Sequence, residues 1–187
     1  LSLLKEVIND KVVFISGAGG SIGKELTKQI LELNPKLLIL FDISEPSIYE
    51  LSLEINDLNK KNLKIINFLG NACDERLVFD IFKKYKIDVV FHAAAYKHVP
   101  IVEKNSVEGM LNNILSTIVL TKASKKFRIS KFILISTDKA VRPTNIMGLS
   151  KRIAELIVQN HSKKSKYTCF SMVRFGNVLG SSGSVVP

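Results

Sequence analysis

Val12-Val13-Phe14-Ile15-Ser16-Gly17-Ala18-Gly19-Gly20-Ser21-Ile22-Gly23 is the stretch on which the fold turns. Its apolar opening reads as a buried strand, and the pattern changes to helical period at Ser21. Glycines at 17, 20 and 23 occupy the corner between them. The first permits a tight turn, the second lets backbone approach a pyrophosphate, and the third lets helix and strand pack closely. Backbone N–H groups around Ser21 and Ile22, at the helix N-terminus, then face the phosphate charge. Asp42 ends the next apolar run, 19 residues after Gly23. A carboxylate there accepts hydrogen bonds from ribose hydroxyls and repels a 2′-phosphate, so NAD is expected ahead of NADP. Asn71 and Ala72 follow the third run, where an adenine edge would be read.

Outward from this corner, short apolar runs alternate with helical segments, the pattern of βαβ units. Strands are expected at Val12–Ser16, Leu37–Phe41, Leu63–Leu69, Asp88–Ala93, Phe132–Ile135 and Thr168–Val173. Helices are expected at Ser21–Leu33, Ser47–Asn59, Glu75–Lys84, Asn105–Lys126 and Asn145–Asn160. The fold class is therefore α/β, a Rossmann-like doubly wound parallel sheet with helices on both faces, forming one domain over residues 1–187. In the fourth helix Val107, Met110, Leu111, Ile114, Leu115, Ile118 and Val119 make a helical stripe expected to lie against the sheet. The chain starts at Leu1 rather than methionine and stops just after a Gly/Ser-rich loop, which implies an excised segment.

Composition excludes several classes. An apolar fraction of 46% with 24% charged residues is that of a soluble globular chain. No apolar run approaches the roughly 18 residues of a membrane span, and no signal-peptide pattern opens the chain. Cys73 and Cys169 stand apart from each other and from any partner, which gives two thiols and no metal knuckle. The net charge of +10 gathers at Lys122, Lys125, Lys126, Arg128 and Lys131, and again at Lys163, Lys164 and Lys166. Such clusters can attract phosphate-rich partners or an anionic membrane. They read here as solvated helix ends, and without interleaved aromatics they do not indicate nucleic acid.

Ligands of an open α/β sheet bind beyond the carboxyl ends of its strands. Strand four ends in Ala93-Ala94-Ala95, small enough for backbone and nicotinamide ribose to come close, and Lys97 and His98 follow on the substrate side. A histidine beside a proline turn is more often structural than a substrate contact. Strand five runs into Ser136-Thr137-Asp138-Lys139, which puts a hydroxyl, a carboxylate and an amine at one strand end. Met147 and Lys151, four apart, share a helix face, and Lys151 can reach the nicotinamide ribose. Methionine cannot take a proton, so the base must come from elsewhere. Asp138, or Thr137 through water, is nearest.

Four segments together are recognisable: GAGGSIGKEL at 17–26, FHAAAYKHVP at 91–100, STDKAVRPTNIMGLSKRIAE at 136–155 and VRFGNVLGSSGSVVP at 173–187. They resemble the bacterial UDP-N-acetylglucosamine 4,6-dehydratases of the extended short-chain dehydrogenase superfamily. The likeness is greatest to the large, membrane-anchored branch of polysaccharide and protein-glycosylation enzymes, in which methionine replaces the tyrosine base. The resemblance implies oxidation at sugar C4 by bound NAD, loss of water across C5–C6, and return of the hydride to C6. It makes Lys139 the C5 base, Asp138 the acid for the leaving C6 hydroxyl, Thr137 a partner of O4 and Lys151 the cofactor anchor. Asn113 matches the superfamily asparagine of the fourth helix. Arg174, Asn177 and the Ser181–Ser184 loop match positions that approach the nucleotide-sugar diphosphate.

The resemblance further implies a homo-oligomer, and a parent protein held at the cytoplasmic face of the cell membrane, with Leu1–Asp10 as the connector. A C-terminal substrate domain, present in relatives of over about 300 residues, is absent here. Two rivals stand beside it. One is a nucleotide-sugar 4-epimerase or reductase, which needs the tyrosine where Met147 stands. The other is a non-catalytic NAD-binding module.

Overall fold

Every apolar run becomes a strand because the sheet is covered on both faces, which lets successive side chains of a strand point into different cores. The computed structural model describes residues 2–59 and 63–178. Strands β1 (Val12–Ser16), β2 (Leu37–Asp42), β3 (Ile65–Leu69), β4 (Val89–His92), β5 (Lys131–Thr137) and β6 (Cys169–Phe175) form one sheet. They lie in the order β3-β2-β1-β4-β5-β6, all parallel. This is the Rossmann-like doubly wound order, and its direction reverses between β1 and β4.

Helices α1 (Ser2–Ile8), α2 (Ser21–Glu32) and α3 (Glu45–Asn56) cover one face, where Val13, Ile15, Leu38 and Leu40 meet Ile30 and Leu51. Helices α4 (Glu75–Tyr85), α6 (Ser106–Lys126) and α7 (Ile146–Lys164) cover the other. There Phe14 packs edge-on against Phe82, with ring centroids 5.1 Å apart. Among the described residues no helix is long and apolar enough to cross a membrane.

Boundaries differ from the sequence reading where capping decides them. Helix α3 starts at Glu45 because the Ser44 hydroxyl accepts from Ser47 N–H and Pro46 suits its first turn. Strand β3 starts at Ile65, since the Asn59 amide grips both N–H and C=O of Leu63 and keeps it in the loop. Residues 2–8, expected as part of a connector, form α1, and its Ile8 is buried against Ile30 and Leu31. The proline turn after His98 is a short helix, α5 (Val99–Lys104).

The stripe on α6 is the larger correction. Val107, Leu111 and Leu115 are 72%, 48% and 41% exposed, and of the seven stripe residues Val119 is the buried one. The inward face is instead small and polar: Asn113, Ser116, Thr117, Thr121 and Ser124 are buried beside Leu120 and Ala123. Thr117 and Thr121 donate their hydroxyls to carbonyls one turn back, Asn113 O and Thr117 O, so burial leaves them satisfied. Helical period was correctly read; local hydrogen bonding reversed the face.

Candidate active site

At the β1–α2 corner, Gly17 N–H donates to Phe41 O (2.8 Å), which ties the turn to β2. Gly17 has φ +69°, and a Cβ there would stand 2.5 Å from Ala94 N, filling the gap between corner and β4 exit. A Cβ on Gly23 would collide with Gly17 O, so the third glycine is required by packing. Gly20 caps α2 without a side chain, and a cavity of about 460 Å³ opens beside Gly20, Ser21 and Ile22. A second cavity, of about 220 Å³, is lined by Asp42, Asn71 and Ala72. A helix N-terminus whose cap residue Gly20 lends no side chain, leading to a carboxylate across glycine backbone, fits a dinucleotide.

Asp42 is fixed before any ligand arrives. Its Oδ2 accepts from Gly19 N–H and its Oδ1 from Ser44 N–H, both at 2.9 Å. The next residues are Ile43, Ser44 and Glu45, so no adjacent cation offsets a 2′-phosphate. We expect NAD to bind at least about tenfold more tightly than NADP by calorimetry, and equal affinities would contradict this reading of Asp42. Asn71 uses its Oδ1 in a turn, accepting from Cys73 N–H, while Ala72 is buried.

The exit of β4 is held by Asn113 on α6. Its Oδ1 accepts from Tyr96 N–H (2.8 Å) and its Nδ2 donates to Tyr96 O (3.0 Å) and to Ser150 Oγ of α7 (2.9 Å). This clamp sets Ala93–Ala95 over the corner and leaves Lys97 and His98 exposed at the N-terminus of α5. Glu103 of α5 accepts from Ile146 N–H (2.6 Å), which ties that segment to the start of α7.

A third cavity, of about 370 Å³, brings Lys97 and His98 together with Thr137, Lys139, Met147 and Lys151. Thr137 is the last residue of β5, and Asp138–Ala140 form a 3₁₀ turn capped by its hydroxyl. Asp138 Oδ1 accepts from Thr137 Oγ1 (3.0 Å) and lies 3.4 Å from Lys139 Nζ. Lys139 Nζ also donates to Asn177 Oδ1 at 2.9 Å. The Thr137 hydrogen bond, followed by the Lys139 charge, holds the Asp138 carboxyl below its ordinary range. Met147 is buried.

Lys151 is 6% exposed and donates to Ile135 O at 2.7 Å. Burial lowers its pKa from 10.5 to about 8, against the opposing charge of Glu155. Between these pH values the unfolded chain holds a proton that the folded chain has released, so stability rises with pH there. Against Lys151→Met, wild type should gain up to roughly 3 kcal/mol in unfolding free energy between pH 8 and 10.5. A constant difference across that window would contradict the burial argument.

A family model described as polysaccharide biosynthesis protein matches residues 13–187. The chain belongs to the polysaccharide biosynthesis protein family. It is 39% identical to the capsular polysaccharide biosynthesis protein CapD of Staphylococcus aureus, over 100% of this chain and 31% of CapD. It is 35% identical to a UDP-N-acetylglucosamine 4,6-dehydratase (inverting) of Campylobacter jejuni, over 97% of this chain and 53% of that enzyme. A UDP-glucose 4-epimerase of Rickettsia bellii matches at 36%, over 95% of this chain and 52% of that one. Among solved structures, Pen from Bacillus thuringiensis superposes with a TM-score of 0.87 at 38% identity, covering 96% of this chain and 56% of Pen. The chain thus spans about half, or less, of these relatives.

The chain also carries buried charged and polar groups that its sequence pattern does not single out. Glu155 is fully buried on α7, where Arg174 grips it through Nε and Nη2 at 2.7 and 2.8 Å. Ser136 Oγ (2.8 Å) and Arg152 (2.9 Å) complete its shell. Burial alone would raise the carboxyl pKa, but these donors, Arg174 foremost, outweigh it and hold it at about 2. Arg174, expected at the diphosphate, therefore directs two of its nitrogens to this carboxylate. His92 is buried between Ser16 Oγ (2.8 Å) and Thr117 Oγ1 (3.1 Å), and burial with the Lys151 charge lowers its pKa to about 3. Spacing shows only the Arg152 partner of Glu155, three residues back on α7, because Arg174, Ser136, Ser16 and Thr117 come from other elements. The Ser181–Ser184 loop lies outside the described residues.

Proposed function

We propose that the whole protein converts UDP-N-acetylglucosamine to a UDP-4-keto-6-deoxy sugar, serving bacterial surface polysaccharide or protein glycosylation. The observation that carries this reading is the Asp138–Lys139 pair beside a cavity whose helix presents Met147. Elimination of water needs an acid and a base together, and one turn supplies both. Bound NAD would supply the hydride acceptor at C4 and the donor at C6. Thr137 binds O4 and relays its proton to water as the hydride leaves C4, Lys139 takes the C5 proton and, after exchange with solvent, returns one there as the hydride reaches C6, and Asp138 protonates the departing C6 hydroxyl. Lys151 steadies the cofactor ribose, while Lys97, His98, Arg174 and Asn177 meet the sugar and diphosphate.

The pair begins in the wrong charge state for this work. A proton passed from Lys139 Nζ to Asp138 gives an amine and a carboxylic acid without changing the net charge. Covering the turn with a sugar removes water that favours the ion pair, and so favours the neutral form. Asp138→Asn should stop dehydration while NAD binding persists; turnover near wild type would refute the acid role.

The epimerase relative supports a second reading, and Met147 weighs against it, since C4 epimerisation needs a proton acceptor at that position. A module that binds NAD without catalysis predicts no hydride transfer in the whole protein. We include in the proposal a homo-oligomer, for which the exposed Val107, Leu111 and Leu115 on α6 offer a surface, and a location at the inner face of the cell membrane.

A further inference from the structure

In a parallel α/β sheet the strand N-termini and the C-termini of the crossover helices share one end, opposite the crevice. That end is strongly basic here. Lys83 and Lys84, Lys125 and Lys126, and Lys163 and Lys164 occupy the last turns of α4, α6 and α7. All six are exposed. Lysines at helix C-termini complement the helix dipole, which accounts for some of them. It does not account for Lys11, Lys36 and Lys64, exposed just ahead of β1, β2 and β3. The acids at this end include Glu6, Asp10, Glu32, Glu54, Asp57 and Asp88, of which Glu54 is paired with Lys24 and Lys28 and Asp88 is engaged with Val12 N–H.

We propose that this end docks on an anionic lipid surface and leaves the crevice facing solution. Three observations favour lipid over nucleic acid. The cations are almost all lysine, a hydrated point charge suited to a diffuse field, whereas base and phosphate readout favours the arginine fork. The cavities described above all open at the opposite end, away from the lysines. Leu58 and Tyr167, 52% and 66% exposed, flank the lysines, and Arg128 stacks over the Tyr167 ring, which places an amphipathic side chain at headgroup level. The inference deepens the membrane location proposed above and does not depend on the reaction.

The test is co-sedimentation of this chain, without substrate, with phosphatidylcholine vesicles containing or lacking phosphatidylglycerol. Binding is expected only with phosphatidylglycerol and should fall steeply with salt. Lys125→Glu with Lys126→Glu should lower partitioning at least about tenfold. The same charge change at the crevice end, Arg76→Glu with Lys104→Glu, should lower it far less. Retained NAD binding shows that each variant is folded, and Lys163→Glu with Lys164→Glu gives an independent repeat. Equal binding to neutral vesicles, equal loss from both ends, or binding to a DNA duplex in preference to the anionic vesicles would each overturn the proposal.

Discussion

Lys139→Ala in the whole protein should slow exchange of the sugar C5 proton with solvent deuterium by about 10² to 10⁴-fold, with NAD binding unchanged. The size follows from what remains at the site. Met147 has no proton to exchange, and Lys151, assigned to the cofactor ribose, already donates from its Nζ to Ile135 O. Asp138, the nearest other group, is assigned to the opposite task. Loss of the amine would also free Asp138 and Asn177 from their shared partner, so the variant should keep its fold. Exchange at the wild-type rate would mean that another group removes the proton, and the division of labour between Asp138 and Lys139 would fail.

Glu155→Gln should destabilise the chain at neutral pH by roughly 1 to 3 kcal/mol, because it removes the buried carboxylate shared by Arg174 and Arg152, whose own charges stay more than a third exposed. The pH dependence distinguishes this from a packing defect. In wild type the carboxyl pKa falls from 4.5 to about 2 on folding. Its contribution is therefore present above pH 4.5 and lost as pH drops toward 2. Denaturant unfolding should show the deficit of the variant shrinking over that range, while a deficit independent of pH, or one below about 1 kcal/mol at neutrality, would contradict it. The network joins the ends of β5 and β6 to α7 directly beneath the Asp138–Lys139 turn, so its loss should also loosen the site.

Local patterns carried much of this architecture. The strand, glycine corner and Asp42 are set by neighbours in sequence, and the six strands follow from apolar runs. Met147 and Lys151 share a helix face by spacing alone. What escaped depends on partners distant in sequence. Asn113 was placed by resemblance, but its clamp on Tyr96 and Ser150 requires two further elements. Glu155 looks like an ordinary helix carboxylate until β6 brings Arg174 beside it. The inward face of α6 was misread because threonine and serine can be buried when they bond their own helix, and composition does not display that bond. Helix α1 is not legible in the sequence because a seven-residue segment carries little periodicity, and it is held by buried Ile8 with Val7 packed beside it.

The most direct test is the product. Incubating the whole protein with NAD and UDP-N-acetylglucosamine in deuterated buffer and following the sugar by NMR should give a UDP-4-keto-6-deoxy sugar with deuterium at C5. A C4 epimer that keeps its C6 hydroxyl would contradict the assignment of dehydration to Asp138 and Lys139.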